Sequence, residues 1–243
     1  MSKRLNGNIA LVTGASRGIG YATAKCLAAE GAHVIALART VGGLEDLDDE
    51  IKKEGGSTTL VPVDLTDFDA IDRLGAAISE RWGHLDILIG NAGILGKLSP
   101  LGHIDPKMWE DTFAINVTAN WRLIRSLDTL LRAAPAGRAI FMSSGAAVKC
   151  KAYWGVYSAS KAALEALVKT YAAETITTDV RSMMVNPGPL RTAMRARAMP
   201  GENPDTLTKP SEFAPALIPL VLPEWSETGS VLNFVDGALE PRS

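Results

Sequence analysis

The sequence predicts an α/β protein built on a doubly wound parallel sheet of about seven strands, with helices on both faces. Segments rich in Val, Ile and Leu alternate with segments of helical periodicity, which is the pattern of parallel strands joined by helices. The predicted strands are apolar almost throughout, as burial on both faces requires. A glycine-rich turn also joins the first strand to the first helix.

Each strand is placed at a cluster of Val, Ile and Leu, and each helix at a stretch whose apolar residues are three and four positions apart. The predicted strands span residues 9–13, 33–38, 59–63, 85–90, 138–142, 180–185 and 231–235. The predicted helices span residues 19–30, 44–54, 67–82, 106–133 and 156–177. No linker or repeat interrupts this series, so we expect residues 1–243 to form one domain.

The stretch at 186–209 differs from the rest because six of its residues are proline or glycine. A long connection with little regular pattern is uncommon unless it is functional or mobile. We therefore expect a functional loop around residues 188–210. After it, Ser211 is the expected N-cap of a further helix, which Pro215 and Pro219 should kink or shorten.

The composition argues against several classes of protein. The 243 residues are 47% hydrophobic and 21% charged with a formal net charge of −2, which disfavours a general nucleic-acid or anionic-membrane surface. The first apolar run is too short for a signal peptide, and no run approaches the length of a membrane span. Cys26 and Cys150 form no disulfide framework and the three histidines are scattered, so we expect a cytoplasmic protein without a metal site.

The glycine-rich turn is the stretch TGASRGIG at residues 13–20, which carries Gly14, Gly18 and Gly20. Glycines let the backbone approach a pyrophosphate, and the helix N-terminus that follows offers free N–H groups and a partial positive charge. The spacing differs from the commoner G-x-G-x-x-G, and a tight strand–helix turn that binds nothing is the alternative. The position after the first strand favours a dinucleotide site.

The end of the second predicted strand indicates which dinucleotide is bound. An NAD site usually carries an acidic residue there, which binds the ribose hydroxyls. Here the strand ends in Ala38 and Arg39, so a guanidinium stands where a 2′-phosphate would lie. Arg17, within the glycine-rich turn, is a second candidate cation. We therefore expect NADP rather than NAD, with two solvated arginines as the alternative interpretation.

Further motifs follow in order along the chain: NAG at 91–93, Asn116, Ser144, YSASK at 157–161 and NPG at 186–188. With the glycine-rich turn, this series resembles the short-chain dehydrogenase/reductase family in its compact branch. The resemblance covers nearly the whole chain and implies a Rossmann-type fold, in which residues 1–243 form a single dinucleotide-binding and catalytic domain with a substrate loop around 188–210. Two departures are Gly90, where the family often has a second asparagine, and a C-terminal segment without the usual double glycine.

Tyr157 and Lys161 lie four residues apart, so on a helix they share one face. Reduction of a ketone by hydride leaves an alkoxide that needs a proton, and a phenol with a pKa of about 10 is a weak acid for this task. A neighbouring ammonium favours the phenolate, so we expect Lys161 to lower the pKa of Tyr157, the general acid. Alone, the two residues would be an ordinary helix face. The resemblance implies that Lys161 also holds the nicotinamide ribose.

Ser144 follows the predicted strand at 138–142, at the sheet edge where α/β proteins bind ligands. Its hydroxyl can donate to a substrate oxygen and polarise a carbonyl. Ser143 competes for this role, and a strand-end serine that caps a turn is the structural alternative. No G-x-S-x-G motif surrounds Ser144, which argues against a serine hydrolase.

Asn116 lies in a helical stripe that should face inward and consists of Trp109, Phe113, Asn116, Asn120, Ile124, Leu127 and Leu131. A buried amide without partners costs roughly 1–3 kcal/mol, so Asn116 needs a backbone group or a water molecule. The resemblance implies that this residue bends the helix and holds a water that leads to Lys161. A satisfied structural asparagine is the alternative.

The resemblance also implies the remaining cofactor contacts. The predicted set is Gly14, Ser16, Arg17, Gly18, Ile19, Gly20, Arg39, Asp64, Leu65, Asn91, Ala92, Gly93, Tyr157, Lys161, Pro187, Gly188, Leu190 and Thr192. Asp64 and Leu65 should flank the adenine, and Asp64 is also a candidate N-terminal acid of the following helix.

The substrate is expected between three segments, at residues 94–98, 145–154 and 190–199. Their apolar side chains favour an apolar ketone or aldehyde, with Leu95, Tyr153, Trp154 and Met194 as the predicted contacts. An acidic group on the substrate would instead use the cations of the same segments, and this alternative stays open. The cations are Lys97, Lys149, Lys151, Arg191, Arg195 and Arg197.

These residues together predict an NADP-dependent oxidoreductase that transfers a hydride between the cofactor and a carbonyl or secondary alcohol. A catalytically silent nucleotide sensor or scaffold of the same fold is the alternative. A sugar-nucleotide epimerase of the longer family branch would need an added domain, for which 243 residues leave no room. Trp121 and Leu123 lie off the inward stripe and predict a partner helix. The resemblance implies homodimers or homotetramers, and we expect no nucleic-acid or membrane partner.

Overall fold

The structure, a computed structural model, describes residues 3–242 and contains one eight-stranded sheet. The strands are β1 (Ile9–Thr13), β2 (His33–Ala38), β3 (Ser57–Pro62), β4 (Ile87–Gly90), β5 (Arg138–Met142), β6 (Arg181–Asn186), β7 (Val231–Val235) and β8 (Ala238–Pro241). Their order across the sheet is β3-β2-β1-β4-β5-β6-β7-β8, and the strands up to β7 are parallel. This order is doubly wound, with its switch point between β1 and β4, which confirms the predicted fold class.

The eighth strand is a correction to the predicted seven. β8 pairs antiparallel with β7, and Val235 lies opposite Ala238. The two residues between them, Asp236 and Gly237, have φ angles of 48° and 87°. Positive φ at both central residues is typical of a tight two-residue hairpin, and Asp-Gly is a preferred sequence for it. The signal was therefore present in the sequence, but β8 itself is largely exposed and lacks an apolar run.

Helices cover both faces of the sheet, and short helices also lie within the segments that join the strands. They are α1 (Gly18–Ala29), α2 (Val41–Lys53), α3 (Phe68–Trp82), α4 (Pro106–Phe113), α5 (Ala119–Ala133), α6 (Ala146–Lys149), α7 (Gly155–Glu174), α8 (Ala193–Ala198), α9 (Pro210–Phe213) and α10 (Ile218–Val221). No helix in residues 3–242 is both long and apolar enough to cross a bilayer.

Alternate strand residues enter two separate apolar cores. In β1, Ala10 and Val12 pack on one face with α1, α2, α9 and α10. Ile9 and Leu11 pack on the other face with α3, α5 and α7. Successive residues of a strand point to opposite faces of the sheet, and both faces are buried here. The strands are therefore continuous apolar runs in the sequence.

The predicted helix at 106–133 contains a π-helical turn at Ala114–Thr118 between α4 and α5. A π turn inserts one extra residue, so the buried face rotates between the two helices. A single helical period therefore misplaces two residues: Trp109 is 39% exposed although it was expected to face inward, and Leu123 is buried in the core although it was expected to face outward. Trp121 is exposed, as predicted.

The proline-rich end of the chain forms short helices. Within the expected loop at 188–210, α8 and a 3₁₀ turn at Pro204–Thr206 are regular. Pro215 and Pro219 divide the next segment into α9, a 3₁₀ turn and α10, as predicted. The expected cap at Ser211 is wrong, because α9 begins at Pro210 with Lys209 as N-cap. Proline at the first helical position favours this start.

Candidate active site

A cleft of about 580 Å³ opens at the carboxyl ends of β1, β2 and β4, where the strand order reverses. We call it the switch-point cleft. Ligands of open α/β sheets bind at this position. Of the residues predicted to bind a cofactor, those that line it are Gly14, Ser16, Arg17, Gly18, Ile19, Arg39, Asp64, Leu65, Asn91, Ala92, Gly93 and Thr192.

The glycine-rich turn has the backbone that a close approach requires. Gly14 and Gly18 have φ angles of 67° and 60°, which favour glycine. Gly20 does not line the cleft. A Cβ on Gly20 would lie 2.3 Å from the carbonyl oxygen of Gly14, so this glycine lets α1 pack against the turn.

Thr13 fastens the glycine-rich turn to the end of β4. Its Oγ1 accepts hydrogen bonds from the N–H groups of Asn91 and Ala92, both at 3.0 Å, and donates to the Ile89 carbonyl at 3.2 Å. Asn91 Nδ2 donates in return to the Thr13 carbonyl at 2.8 Å. Thr13 is a site residue that was not predicted, and the signal that could have indicated it is a polar residue at the end of an apolar strand. These bonds hold two walls of the cleft in register.

Arg39 lies directly after β2 and lines the switch-point cleft with an exposed side chain. Its Nη1 lies 3.4 Å from Asp64 Oδ2. Burial would raise the pKa of Asp64, but hydrogen bonds from Thr66 and the charge of Arg39 outweigh it and lower the pKa. The cap of α3 is Asp67, whose side chain accepts from Ala70 N–H, so Asp64 is free to face the cleft. This end of the cleft therefore presents a cation beside an ionised carboxylate.

A second cavity of about 390 Å³ adjoins the cleft, and Leu95, Thr192 and Met194 line both. Leu190, expected to contact the cofactor, lines only the second cavity. We call it the Ser–Tyr cavity because Ser144 and Tyr157 line it. Pro187 and Gly188, expected near a cofactor, line this cavity instead of the cleft. Leu95, Trp154 and Met194, which are expected substrate contacts, also line it.

Tyr153 is a correction to the predicted substrate contacts. Its side chain is 60% exposed and is absent from the cavity wall. The backbone there is left-handed, with φ of 72°, and the Tyr153 carbonyl accepts from Ser99 N–H at 3.0 Å. This turn directs Trp154 into the wall, where its ring lies edge-on to Tyr157 at 6.0 Å between centroids.

Tyr157 and Lys161 lie one turn apart on α7, as expected, and both are buried. Lys161 Nζ donates to the Met142 carbonyl at 2.7 Å and lies 5.8 Å from the centroid of the Tyr157 ring. Burial lowers the pKa of Lys161 to about 8, and the nearby charge of Glu165 acts against this shift. The ammonium therefore does not reach the surface: it is held inside, against a strand-end carbonyl.

The expectation that Lys161 lowers the pKa of Tyr157 is wrong for this structure. Burial raises the pKa of Tyr157, and a hydrogen bond with Ser144 only partly offsets it. Removal of the phenol from water penalises phenolate more than an ammonium directed at another group stabilises it. The arrangement keeps the phenol protonated, next to a hydroxyl in the same cavity, and such a pair can donate a proton to a bound oxygen.

Ser143 and Ser144 have different surroundings, which separates the two candidates. Ser143 is buried, and its Oγ donates to Glu165 at 2.5 Å. Glu165 is also bound by both terminal nitrogens of the Arg242 guanidinium, at 2.7 and 2.5 Å. Ser144 Oγ instead accepts from Ala146 N–H at 3.1 Å and faces Tyr157. Glu165 and Arg242 were not predicted to lie at the site, because they are far apart in the chain.

Asn116 is fully buried inside the π turn and lines neither cavity. Its Oδ1 accepts from Ile94 N–H at 2.8 Å, and its Nδ2 donates to the Ile94 carbonyl and to Ser160 Oγ, both at 2.9 Å. A Cβ on Gly93 would lie 3.2 Å from Asn116 Oδ1 and 3.6 Å from Lys161 Nζ. The amide thus joins the loop after β4 to α7, close to the buried ammonium.

The strand order and the glycine-rich turn at the switch point define a Rossmann-type α/β protein. The family model described as short chain dehydrogenase matches residues 8–203. The chain belongs to the short-chain dehydrogenase/reductase family of oxidoreductases.

Relatives of similar length support this membership. The oxidoreductase YciK from Escherichia coli is 36% identical over 214 residues, which cover 87% of this chain and 84% of YciK. A short chain dehydrogenase from Shigella flexneri, complexed with NADP, superposes with a TM-score of 0.92 at 35% identity, over 96% of this chain and 99% of that one. One from Escherichia coli CFT073, complexed with NADPH, has a TM-score of 0.90 at 34% identity, over 96% and 98%.

Proposed function

We propose that this protein is an NADP(H)-dependent oxidoreductase that interconverts a carbonyl compound and a secondary alcohol, with Tyr157 as the acid/base group. One observation carries the proposal: Ser144 and Tyr157 share a cavity that adjoins the switch-point cleft. A hydroxyl pair next to a dinucleotide site suits proton transfer to an oxygen whose carbon accepts a hydride.

The residues of the cleft fit a dinucleotide. The left-handed glycines Gly14 and Gly18 support a close approach of the backbone to a pyrophosphate at the N-terminus of α1. Arg39, with Arg17 as a second cation in the wall, suits the 2′-phosphate of NADP. When bound, NADPH supplies the hydride that reduces a carbonyl carbon. The NADP and NADPH complexes of the Shigella and Escherichia relatives support the same choice.

The chain's own groups supply the proton and the orientation. In the reductive direction Tyr157 donates its proton to the substrate oxygen, while Ser144 donates a hydrogen bond to the same oxygen. The Lys161 ammonium, 5.8 Å from the centroid of the Tyr157 ring, holds a positive charge next to the proposed proton donor. Asn116 positions the loop after β4 beside Lys161. The substrate lies in the Ser–Tyr cavity, beneath the proposed substrate loop at 188–210.

The decisive variant is Tyr157→Phe, which removes the phenol and little else. We expect turnover of ketones or aldehydes with NADPH to fall 10²–10⁴-fold, the usual contribution of a general acid, while NADPH binding is retained. Tyr153→Phe is the matched control, because that phenol is exposed outside the cavity. The silent-sensor alternative gains support if wild type binds NADPH and turns over no carbonyl in a broad panel.

The cofactor preference has its own test. Fluorescence titrations should show tighter binding of NADPH than of NADH, and Arg39→Gln should weaken NADPH about tenfold while NADH is unaffected. Tighter binding of NADH by wild type would contradict the assignment. The homodimer or homotetramer, the single-domain organisation and the cytoplasmic location stay predictions, of which light scattering tests the first.

A further inference from the structure

All the charged side chains that line the Ser–Tyr cavity are positive. Three cations line it, Lys149, Lys151 and Arg195, and none of the described lining residues is Asp or Glu. The whole chain has a formal net charge of −2, so this wall departs from the balance of the protein. Cations gathered in a cleft attract anionic ligands and raise their local concentration.

The cofactor does not account for these cations. Arg17, Arg39, Arg191 and Arg197 line the switch-point cleft, where the phosphates of a dinucleotide would lie. Lys149 and Lys151 line only the Ser–Tyr cavity. Arg195 is already neutralised, because Glu202 accepts from its Nε and Nη2, both at 2.5 Å.

The two lysines are the cations without a counter-charge. Within residues 3–242 neither ammonium makes an ion pair or a hydrogen bond to another side chain. The Lys149 stem passes close to Gly145, the residue after Ser144, since a Cβ on Gly145 would lie 3.7 Å from Lys149 Cε. Both lysines are solvent-exposed, and they line the same cavity as Ser144 and Tyr157.

The backbone that carries the lysines is unusual. Among residues 3–242, three non-glycine residues have positive φ, and two of them, Cys150 and Tyr153, flank Lys151. Such conformations cost about 1–3 kcal/mol each and concentrate at ligand-binding segments. The wall of the same cavity also contains apolar side chains, among them Leu95, Leu190 and Met194. A ligand that matches both the apolar and the basic lining residues has an apolar body and a negative charge.

We propose that the natural substrate is a carbonyl compound, or the corresponding alcohol, that carries a carboxylate or phosphate near the reacting carbon. Lys149 and Lys151 are the residues that select for this anionic group. The inference rests on the proposed oxidoreductase function and adds the class of its substrate. It also decides between the two alternatives that the apolar and basic side chains left open.

The test compares matched pairs of substrates that differ in charge. Keto acids of two to four carbons between the carbonyl and carboxyl groups are each paired with the methyl ester, and a keto phosphate is paired with the free keto alcohol. With NADPH, wild type should show kcat/KM about tenfold or more higher for the anion of each pair. The double variant Lys149→Gln/Lys151→Gln should lose this advantage and keep its rate with the esters, because each charge pair is worth up to about fivefold.

Lys97→Gln is the matched control, because Lys97 lies in the neighbouring loop and outside both cavity walls. It should retain the preference for anions. Binding is measured independently through Trp154, which lies in the cavity wall and whose fluorescence reports a ligand without turnover. Equal kcat/KM and equal binding for acid and ester in wild type would overturn the inference and leave the oxidoreductase proposal intact. Anion-selective binding without any turnover would overturn the oxidoreductase proposal instead.

Discussion

Arg242→Met removes one charge of a buried ion pair while it keeps a side chain of similar length. In the protein, both terminal nitrogens of the Arg242 guanidinium bind the Glu165 carboxylate. Only 15% of the Arg242 side chain and 7% of the Glu165 side chain are exposed. Water therefore cannot replace the guanidinium, and the carboxylate is left without its main partner.

The free energy of unfolding should fall by about 3 kcal/mol. Removal of one partner from a buried pair costs roughly 3–5 kcal/mol, because the other charge stays buried. We expect the lower end of this range, since Ser143 still donates to Glu165 and Lys169 still contributes positive charge. A second change, Glu165→Gln, should restore about 2 kcal/mol, because a neutral amide needs no counter-charge.

The assay is urea unfolding at fixed protein concentration, with the slope m compared between variants. Arg4→Met is the matched control, because Arg4 binds Glu30 through two nitrogens in the same way, but on the surface. Half of the Arg4 side chain is exposed, and its loss should barely move the midpoint. A midpoint for Arg242→Met no lower than that for Arg4→Met would refute the reasoning.

The same pair has a defined pH dependence. Burial would raise the pKa of Glu165, but the bonds from Arg242 and Ser143 outweigh it and lower the pKa below 4.5, its ordinary value. A carboxyl with a lowered folded-state pKa stabilises above its unfolded pKa and loses that contribution as the pH falls through the folded pKa. The gap in stability between wild type and Arg242→Met should therefore narrow below about pH 4.5.

Three further outcomes follow from the geometry. Gly20→Ala should cost about 1–3 kcal/mol of stability, because its Cβ meets the backbone; Gly42→Ala, a helical site with open space, should not destabilise, and equal effects in thermal melts would contradict this. Asn116→Ala should lower the free energy of unfolding, measured with urea, by about 3 kcal/mol, since it leaves the partly buried N–H and carbonyl of Ile94 unpaired, and a variant as stable as wild type would disprove the role. Reductive kcat/KM should decline as the pH rises above about 8, where Lys161 loses its charge. Glu165→Gln should move that decline to lower pH, because the Glu165 charge raises the pKa of Lys161, and an unmoved decline argues against Lys161 as its source.

Local sequence patterns were enough to predict most of the fold. The predicted bounds of β1, β2, β5 and β7 agree with the structure residue for residue. These strands are short apolar runs between clear breaks, so each boundary depends only on nearby residues. The π turn at Ala114–Thr118 could not be read in this way, because a constant helical period has no place for an extra residue.

The parts of the site that depend on nearby residues were likewise predictable, and the parts that depend on distant residues were not. The glycine-rich turn and the Tyr157–Lys161 spacing are local, and the structure places the turn in the switch-point cleft, Tyr157 in the neighbouring Ser–Tyr cavity and Lys161 one helical turn away, outside both cavity walls. The bond between Glu165 and Arg242 joins residues 77 positions apart, and only the pairing of β7 with β8 brings them together. Sequence spacing cannot predict a contact between residues that are so far apart in the chain. The exposure of Tyr153 likewise depends on its left-handed backbone conformation, which the residue type does not predict.

The pKa values were the least predictable property, because each depends on the balance between burial and nearby charges and not on one neighbouring residue. A charge-only argument has Lys161 lower the pKa of Tyr157, yet burial raises it and lowers that of Lys161. Burial favours the neutral form of each group, so the proton is retained on the phenol and held less firmly by the ammonium. A protonated phenol beside Ser144 is the form that reduction consumes. For the proposed enzyme, oxidation of the alcohol therefore requires a more basic solution than reduction of the carbonyl, and opposite pH trends for the two directions are the expected result.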